Sequence, residues 1–274
     1  MLNSKVCRSI LGILLLGTPA FCLAEENPEF SWPNGARAAV NLAYDDALDS
    51  QLDHAIPALN QYGFKGSFYL TLASDTVRLR LDDWRAVAAN GHELGNHTLF
   101  HPCSASRPDR EWVEPQHDLD HITVAEMRER ILLANSMLHV IDGQAERTFT
   151  APCGDLEAAG VPYLEAVRPQ FVAIKANAGG VTPDMAELDP WSVGVTMPVG
   201  LSGEQLIGIA REAADKGTMA NFTFHGIGGD YLSVSLEAHD TLLQYLDENR
   251  DVFWVDTFLN IMHYVKDQNS ANSR

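Results

Sequence analysis

Alternation constrains this chain more than any other property. From residue 38 to residue 266, short apolar runs take turns with longer stretches of helical spacing. Strand-like runs fall at 38–44, 66–70, 92–96, 148–151, 171–176, 192–197, 219–224 and 252–255. Helical spacing covers 51–62, 81–89, 123–141, 202–216, 235–249 and 257–266. Thr123-Val124-Ala125-Glu126 and Ser202-Gly203-Glu204-Gln205 have the capping-box form, in which the first hydroxyl and the fourth side chain bond each other's backbone N–H. Strands joined through helices run parallel, so seven or eight such units predict an α/β barrel or a doubly wound sheet. Several units are irregular, and no repeat or linker divides the chain, so a single domain is expected.

The first 24 residues read as an export signal. Lys5 and Arg8 precede an apolar run at 10–16, helix-breaking Gly17 and Pro19 follow, and Ala24 offers a small residue for cleavage. The run is too short for a permanent membrane anchor. A periplasmic or secreted product follows, with a domain at 25–266 and a polar, frayed tail at 267–274. Removing Lys5 and Arg8 takes the formal charge from −18 to −20. Such acidity repels nucleic acid and anionic membrane and suits a neutral substrate. It says nothing about oligomeric state.

Chemistry-bearing residues gather where strands end. Asp45 and Asp46 follow the first strand, and His97-Thr98-Leu99-Phe100-His101-Pro102 follows the third. The turn Pro152-Cys153-Gly154 follows the fourth, and His225 follows a later one. Parallel barrels build their sites at that rim. On a helical turn, His97 and His101 would share a face, whereas His117 and His121 repeat the spacing without comparable neighbours. Two adjacent carboxylates beside two imidazoles suit a divalent cation, with one aspartate as ligand and the other free as a base. A metal lowers the pKa of bound water from ~15.7 towards ~7, which points to metal-assisted hydrolysis of an acyl bond.

Tyr44-Asp45-Asp46-Ala47 resembles the first motif of the polysaccharide deacetylases, the NodB-homology group called carbohydrate esterase family 4. His97 to Pro102 matches that family's H-[ST]-x-x-H-P motif, Thr150-Ala151-Pro152-Cys153-Gly154 is similar to its third motif, and Phe224-His225-Gly226 to its late histidine motif. The resemblance implies an irregular (β/α) barrel of about seven parallel strands. It implies Asp45 as general base, His225 as general acid, and Asp46, His97 and His101 as ligands of a divalent metal, zinc first. A metal-bound water would be the nucleophile. Pro152 and Cys153 would line the oxyanion side through a backbone N–H. The substrate implied is an acetylated oligo- or polysaccharide, N-acetylglucosamine polymers ahead of O-acetylated xylan.

Three departures stand out. Thr150 replaces the third-motif arginine that orients the base in the family, with Arg147 three residues away; Asp189-Pro190-Trp191 matches the fourth motif poorly; and Ala47 replaces a glycine. They leave two rival readings: a carbohydrate-binding relative without activity, and a metal-independent amidohydrolase that opens cyclic amides. Cys103 and Cys153 fall on loops that such a barrel makes neighbours. A disulfide is expected there, with two free thiols or an extra metal ligand as alternatives. Trp112 and Trp191 are candidates either for sugar stacking or for packing.

Overall fold

A computed structural model describes residues 30–272; the stretch 1–24, read above as an export signal, lies outside them. Ten strands follow in order: β1 Ala38–Asp45, β2 Ser67–Leu70, β3 Glu93–Asn96, β4 Thr148–Thr150, β5 Glu157–Ala158, β6 Val161–Pro162, β7 Ala173–Asn177, β8 Val193–Gly194, β9 Met219–Phe224 and β10 Phe253–Val255. Seven of them, in the order β1-β2-β3-β4-β7-β8-β9, form a nearly closed parallel barrel. Closure comes from the stretch after β8, where Thr196 N–H donates to Asn221 O at 2.8 Å and Thr223 N–H to Thr196 O at 2.9 Å. β5 and β6 make a separate antiparallel hairpin.

The barrel is irregular at its base. β9 takes one edge of β1 through Ala39–Tyr44, so β10 and β2 share the other edge, β10 on Ala38–Val40 and β2 on Ala43–Asp45. β10 thus wedges the base open and delivers the helix Phe258–Asn272 beneath the barrel. There the N–H groups of Phe258 and Leu259 donate to Ser67 Oγ (2.8 Å) and Glu93 Oε2 (3.0 Å).

Every residue of β1 is buried, because helices cover one face and the barrel interior the other. Ala38, Val40, Leu42 and Tyr44 face the helices; Ala39 and Ala43 face inwards with Tyr69 and Met219. A Cβ at Gly95 would lie 2.4 Å from the Tyr69 ring, so glycine there lets Tyr69 cross the barrel and meet Thr148 Oγ1 at 2.7 Å. Both capping boxes form, opening the helices Val124–Asp142 and Gly203–Lys216. The last helix continues to Asn272 rather than fraying at 267.

Two buried histidines outside the barrel make stability pH-dependent. His239 meets the Tyr44 hydroxyl at 2.7 Å, and His92 Nδ1 accepts from Gly66 N–H at 3.1 Å. Burial holds both down to about 4 from the usual 6.5, with Lys65 adding to the effect on His92. Below pH 6.5 the unfolded chain takes up protons that the folded chain refuses, so these residues cost nothing above 6.5 and remove stability as pH falls towards 4. Urea titrations from pH 7 to 4 should show this loss, and His239→Gln should flatten its slope; an unchanged slope would contradict the assignment.

Candidate active site

The four predicted groups meet at the C-terminal mouth of the barrel, around a cavity of about 770 Å³. Asp45 ends β1 and is 2% exposed; Asp46 takes the next position at φ +80°. Gln51, in a π-helical turn, holds this corner: its amide donates to Asp45 O at 2.5 Å and to His225 O at 3.2 Å. The ends of β1 and β9 are thereby pinned to each other.

The two-histidine stretch is not helical. Thr98 and His101 have φ of +68° and +52°, and polar side chains shape the loop. Asn96 Oδ1 accepts from Thr98 N–H at 2.7 Å, and Thr98 Oγ1 accepts from His101 N–H at 2.9 Å. Asn96 also donates to Ile131 O and Asn135 Oδ1, which ties the loop to the helix Val124–Asp142. The imidazoles converge through left-handed backbone, which costs ~1–3 kcal/mol per residue and survives only where the surroundings enforce it.

Asp46 Oδ1 lies 3.2 Å from Nε2 of His97 and 3.2 Å from Nε2 of His101. His97 Nδ1 stands 2.8 Å from Thr150 O, and a carbonyl only accepts, so Nδ1 carries a proton and the neutral ring turns a lone pair towards Asp46. Acceptors therefore converge, and Asp46 Oδ1 has no hydrogen-bond partner. A divalent cation would fit this donor set of one carboxylate and two imidazoles, and Asp46, His97 and His101 are the residues that could hold it. A proton serves otherwise: burial pulls His97 down, but the charges of Asp45 and Asp46 push it up to about 9. Burial and the His97 charge hold His101 near 4. Burial pushes Asp46 up, yet the three histidines around it hold it well below the usual carboxylate range. Asp45, its neighbour, is raised by burial.

His225 closes the opposite side, with Nε2 3.7 Å from Asp46 Oδ2. Behind it a Cβ at Gly226 would sit 2.0 Å from Gly229 O, so only glycine permits the turn. Its Nδ1 is buried without a partner, and Asp189 does not serve it. That carboxylate accepts from Trp191 N–H at 2.9 Å, beside Pro190, whose carbonyl bonds Ile174 near the start of β7. Trp191 packs against Arg168 there, away from the cavity, whereas Trp112 stands exposed on its rim.

Cys103 and Cys153 form the expected disulfide, with Cα atoms 6.0 Å apart. His101, Cys103 and Cys153 also bring ligand atoms together, but the bonded sulfurs leave no thiolate for a metal. Cys153 lines the cavity at φ +57°, while Pro152 is buried in the same turn. Arg110, also on the cavity wall, braces the turn, donating to Asp155 Oδ2 at 3.1 Å and Cys153 O at 3.4 Å.

Two cavity residues carry more than the sequence suggested. The Tyr231 hydroxyl donates to Asp46 Oδ2 at 2.9 Å and orients that carboxylate. Tyr231→Phe should weaken metal binding about tenfold, as loss of an outer partner does, in a chelator competition assay; unchanged affinity would rule that role out. Lys175 is buried in the cavity floor, pulled down to about 7 by burial against the charges of Asp45 and Glu93. Arg147 never reaches the site. It pairs with Asp142 at 2.5 Å and donates to Leu94 O and Gln144 O.

Residues 33–168 match the polysaccharide deacetylase family model. The chain belongs to the polysaccharide deacetylase family. The matched residues take in Asp45, Asp46, His97, His101 and Cys153, while His225 lies beyond them. A solved putative polysaccharide deacetylase from Mycobacterium smegmatis shares the fold at a TM-score of 0.59 and 12% identity, covering 88% of this chain and 94% of that one. The Xyl-CE4 domain of a multidomain xylanase from the hindgut metagenome of Trinervitermes trinervoides gives 0.54 and 17%, over 85% and 92%. A gellan lyase from Bacillus sp is 24% identical over 267 residues, 88% of this chain. The chain spans 10% of that protein's length.

Proposed function

We propose that the chain is an exported, metal-dependent deacetylase that hydrolyses acetyl groups from a neutral carbohydrate. The observation that carries this reading is the convergence of Asp46, His97 and His101, with Asp46 Oδ1 left without a hydrogen bond and Asp45 free beside it. A divalent cation, zinc first, would supply Lewis acidity at the acyl carbonyl and make water acidic enough to attack near neutral pH.

Each remaining task falls to a group already in place. Asp45, raised by burial, is the base that takes the proton of the attacking water. The Cys153 N–H, on the turn that lines the cavity, faces the oxygen on which negative charge develops. His225 Nε2, across Asp46 from His97, protonates the departing sugar nitrogen or oxygen, and acetate leaves. Trp112 and Tyr231 at the rim offer aromatic faces to sugar rings. Acidity of the chain favours uncharged glycans, and N-acetylglucosamine polymers come before O-acetylated xylan.

A panel of N-acetylated chitin-type oligomers and O-acetylated xylan, assayed for acetate, tests the reading. Release from at least one, with the N-acetyl substrates fastest, is expected. Binding to such glycans with no release from any would favour the carbohydrate-binding alternative, on which Thr150 in place of arginine and the unpartnered His225 Nδ1 already bear.

A further inference from the structure

Lys175 is a buried cavity group that this chemistry leaves without a task. It enters the barrel from β7, in register with Thr150 of β4, and is 1% exposed. Its Nζ donates to Asn41 Oδ1 at 2.5 Å and lies 5.0 and 4.7 Å from the centres of the Tyr69 and Phe258 rings. Among the described residues it forms no ion pair. A buried ammonium without a carboxylate contact costs several kcal/mol, which is why burial draws this amine down, and nearby carboxylates oppose that pull.

Two carboxylates feel the charge of this amine, Asp45 and Glu93. Glu93 is already served: it accepts from Ser67 Oγ at 2.7 Å, from Leu259 N–H at 3.0 Å and from the Thr148 hydroxyl. Asp45 is not. Its Oδ1 is buried without a partner, its Oδ2 is 4.0 Å from His97 Nε2, and the Asp46 carboxylate is its neighbour in the chain. Asn41 and Asp45 lie on the inward face of the same strand with only Ala43 between them, so a methyl group separates the anchored ammonium from the carboxylate above it.

We propose that Lys175, anchored on Asn41, is a positioning residue for Asp45, its protonated amine supplying the positive field that turns this carboxylate into the cavity beside Asp46. The proposal rests on the deacetylase reading. It gives the site a cation of its own from a different strand, where Thr150 and the distant Arg147 provide none.

Lys175→Ala and Lys175→Met separate charge from packing. Both variants should lose about 10²-fold in kcat, as misplacement of a catalytic group does, with KM within threefold of wild type. Metal content and Tm should stay near wild-type values. Ethylammonium should restore part of kcat to Lys175→Ala in a saturable way, and should do nothing for Lys175→Met, whose side chain fills the space. A kcat within threefold of wild type in either variant, or a loss in Lys175→Ala that the amine leaves untouched, would overturn the proposal. A wild-type chain that releases no acetate from any substrate would instead sink the deacetylase reading.

Discussion

Asp46→Asn should abolish metal binding and lower kcat/KM by about 10³-fold or more, the scale of losing both Lewis acidity and an activated water. Asp46 is the only anionic member of the ligand set and touches both imidazoles at 3.2 Å, so its charge organises the centre. Asparagine keeps the shape and tolerates the left-handed backbone at φ +80°. Folding should therefore survive. In metal-free protein Tm should fall, because there the Asp46 carboxylate, held below its usual range, and His97, pushed up to about 9, stabilise each other, and asparagine removes that charge. Elemental analysis, acetate assay and calorimetry on one preparation check all three outcomes. Full metal occupancy in the variant would move the site elsewhere.

Breaking the disulfide should cost both stability and activity. The bond spans 50 residues, for which the loop-entropy account gives about 4 kcal/mol. At roughly 2–4 °C per kcal/mol for a chain of this size, Cys153→Ser should lower Tm by about 8–16 °C. The effect on turnover follows from position. Cys103 is two residues beyond His101, and Cys153 lies in the turn assigned to the developing oxyanion, so one covalent link fixes a ligand loop against that turn. Activity should fall about 10²-fold below the melting transition, since misplacement by about 1 Å has that effect. Full activity at 25 °C with the bond absent would show that Arg110 and Asp155 suffice to hold the turn.

The fold was readable because alternation, capping boxes and buried runs all pointed to one architecture. β1, the helix at 81–89 and both capped helices fall within a residue or two of their expected bounds. Short elements were less readable. The run at 192–197 yields a strand of only two residues, because register shifts between Lys175 and Asn177 where it pairs. At the site, the residues that meet were readable and their conformation was not. His97 and His101 share an ion's reach through positive φ at Thr98 and His101, which residue spacing does not encode. Lys175 and Gln51 act through contacts more than a hundred residues away in sequence, Lys175 with Asn41 and Gln51 with His225. A lone lysine in the apolar run Ala173-Ile174-Lys175-Ala176 was the available signal for the first; nothing marked the second.

The central claim is that Asp46, His97 and His101 form one metal centre that drives hydrolysis of an acetyl group. Acetate release from the best substrate of the panel, followed through chelation and then stepwise return of zinc, tests it most directly. Activity should vanish on chelation and return in proportion to metal, saturating at one ion per chain. Undiminished acetate release after complete removal of metal would contradict the account.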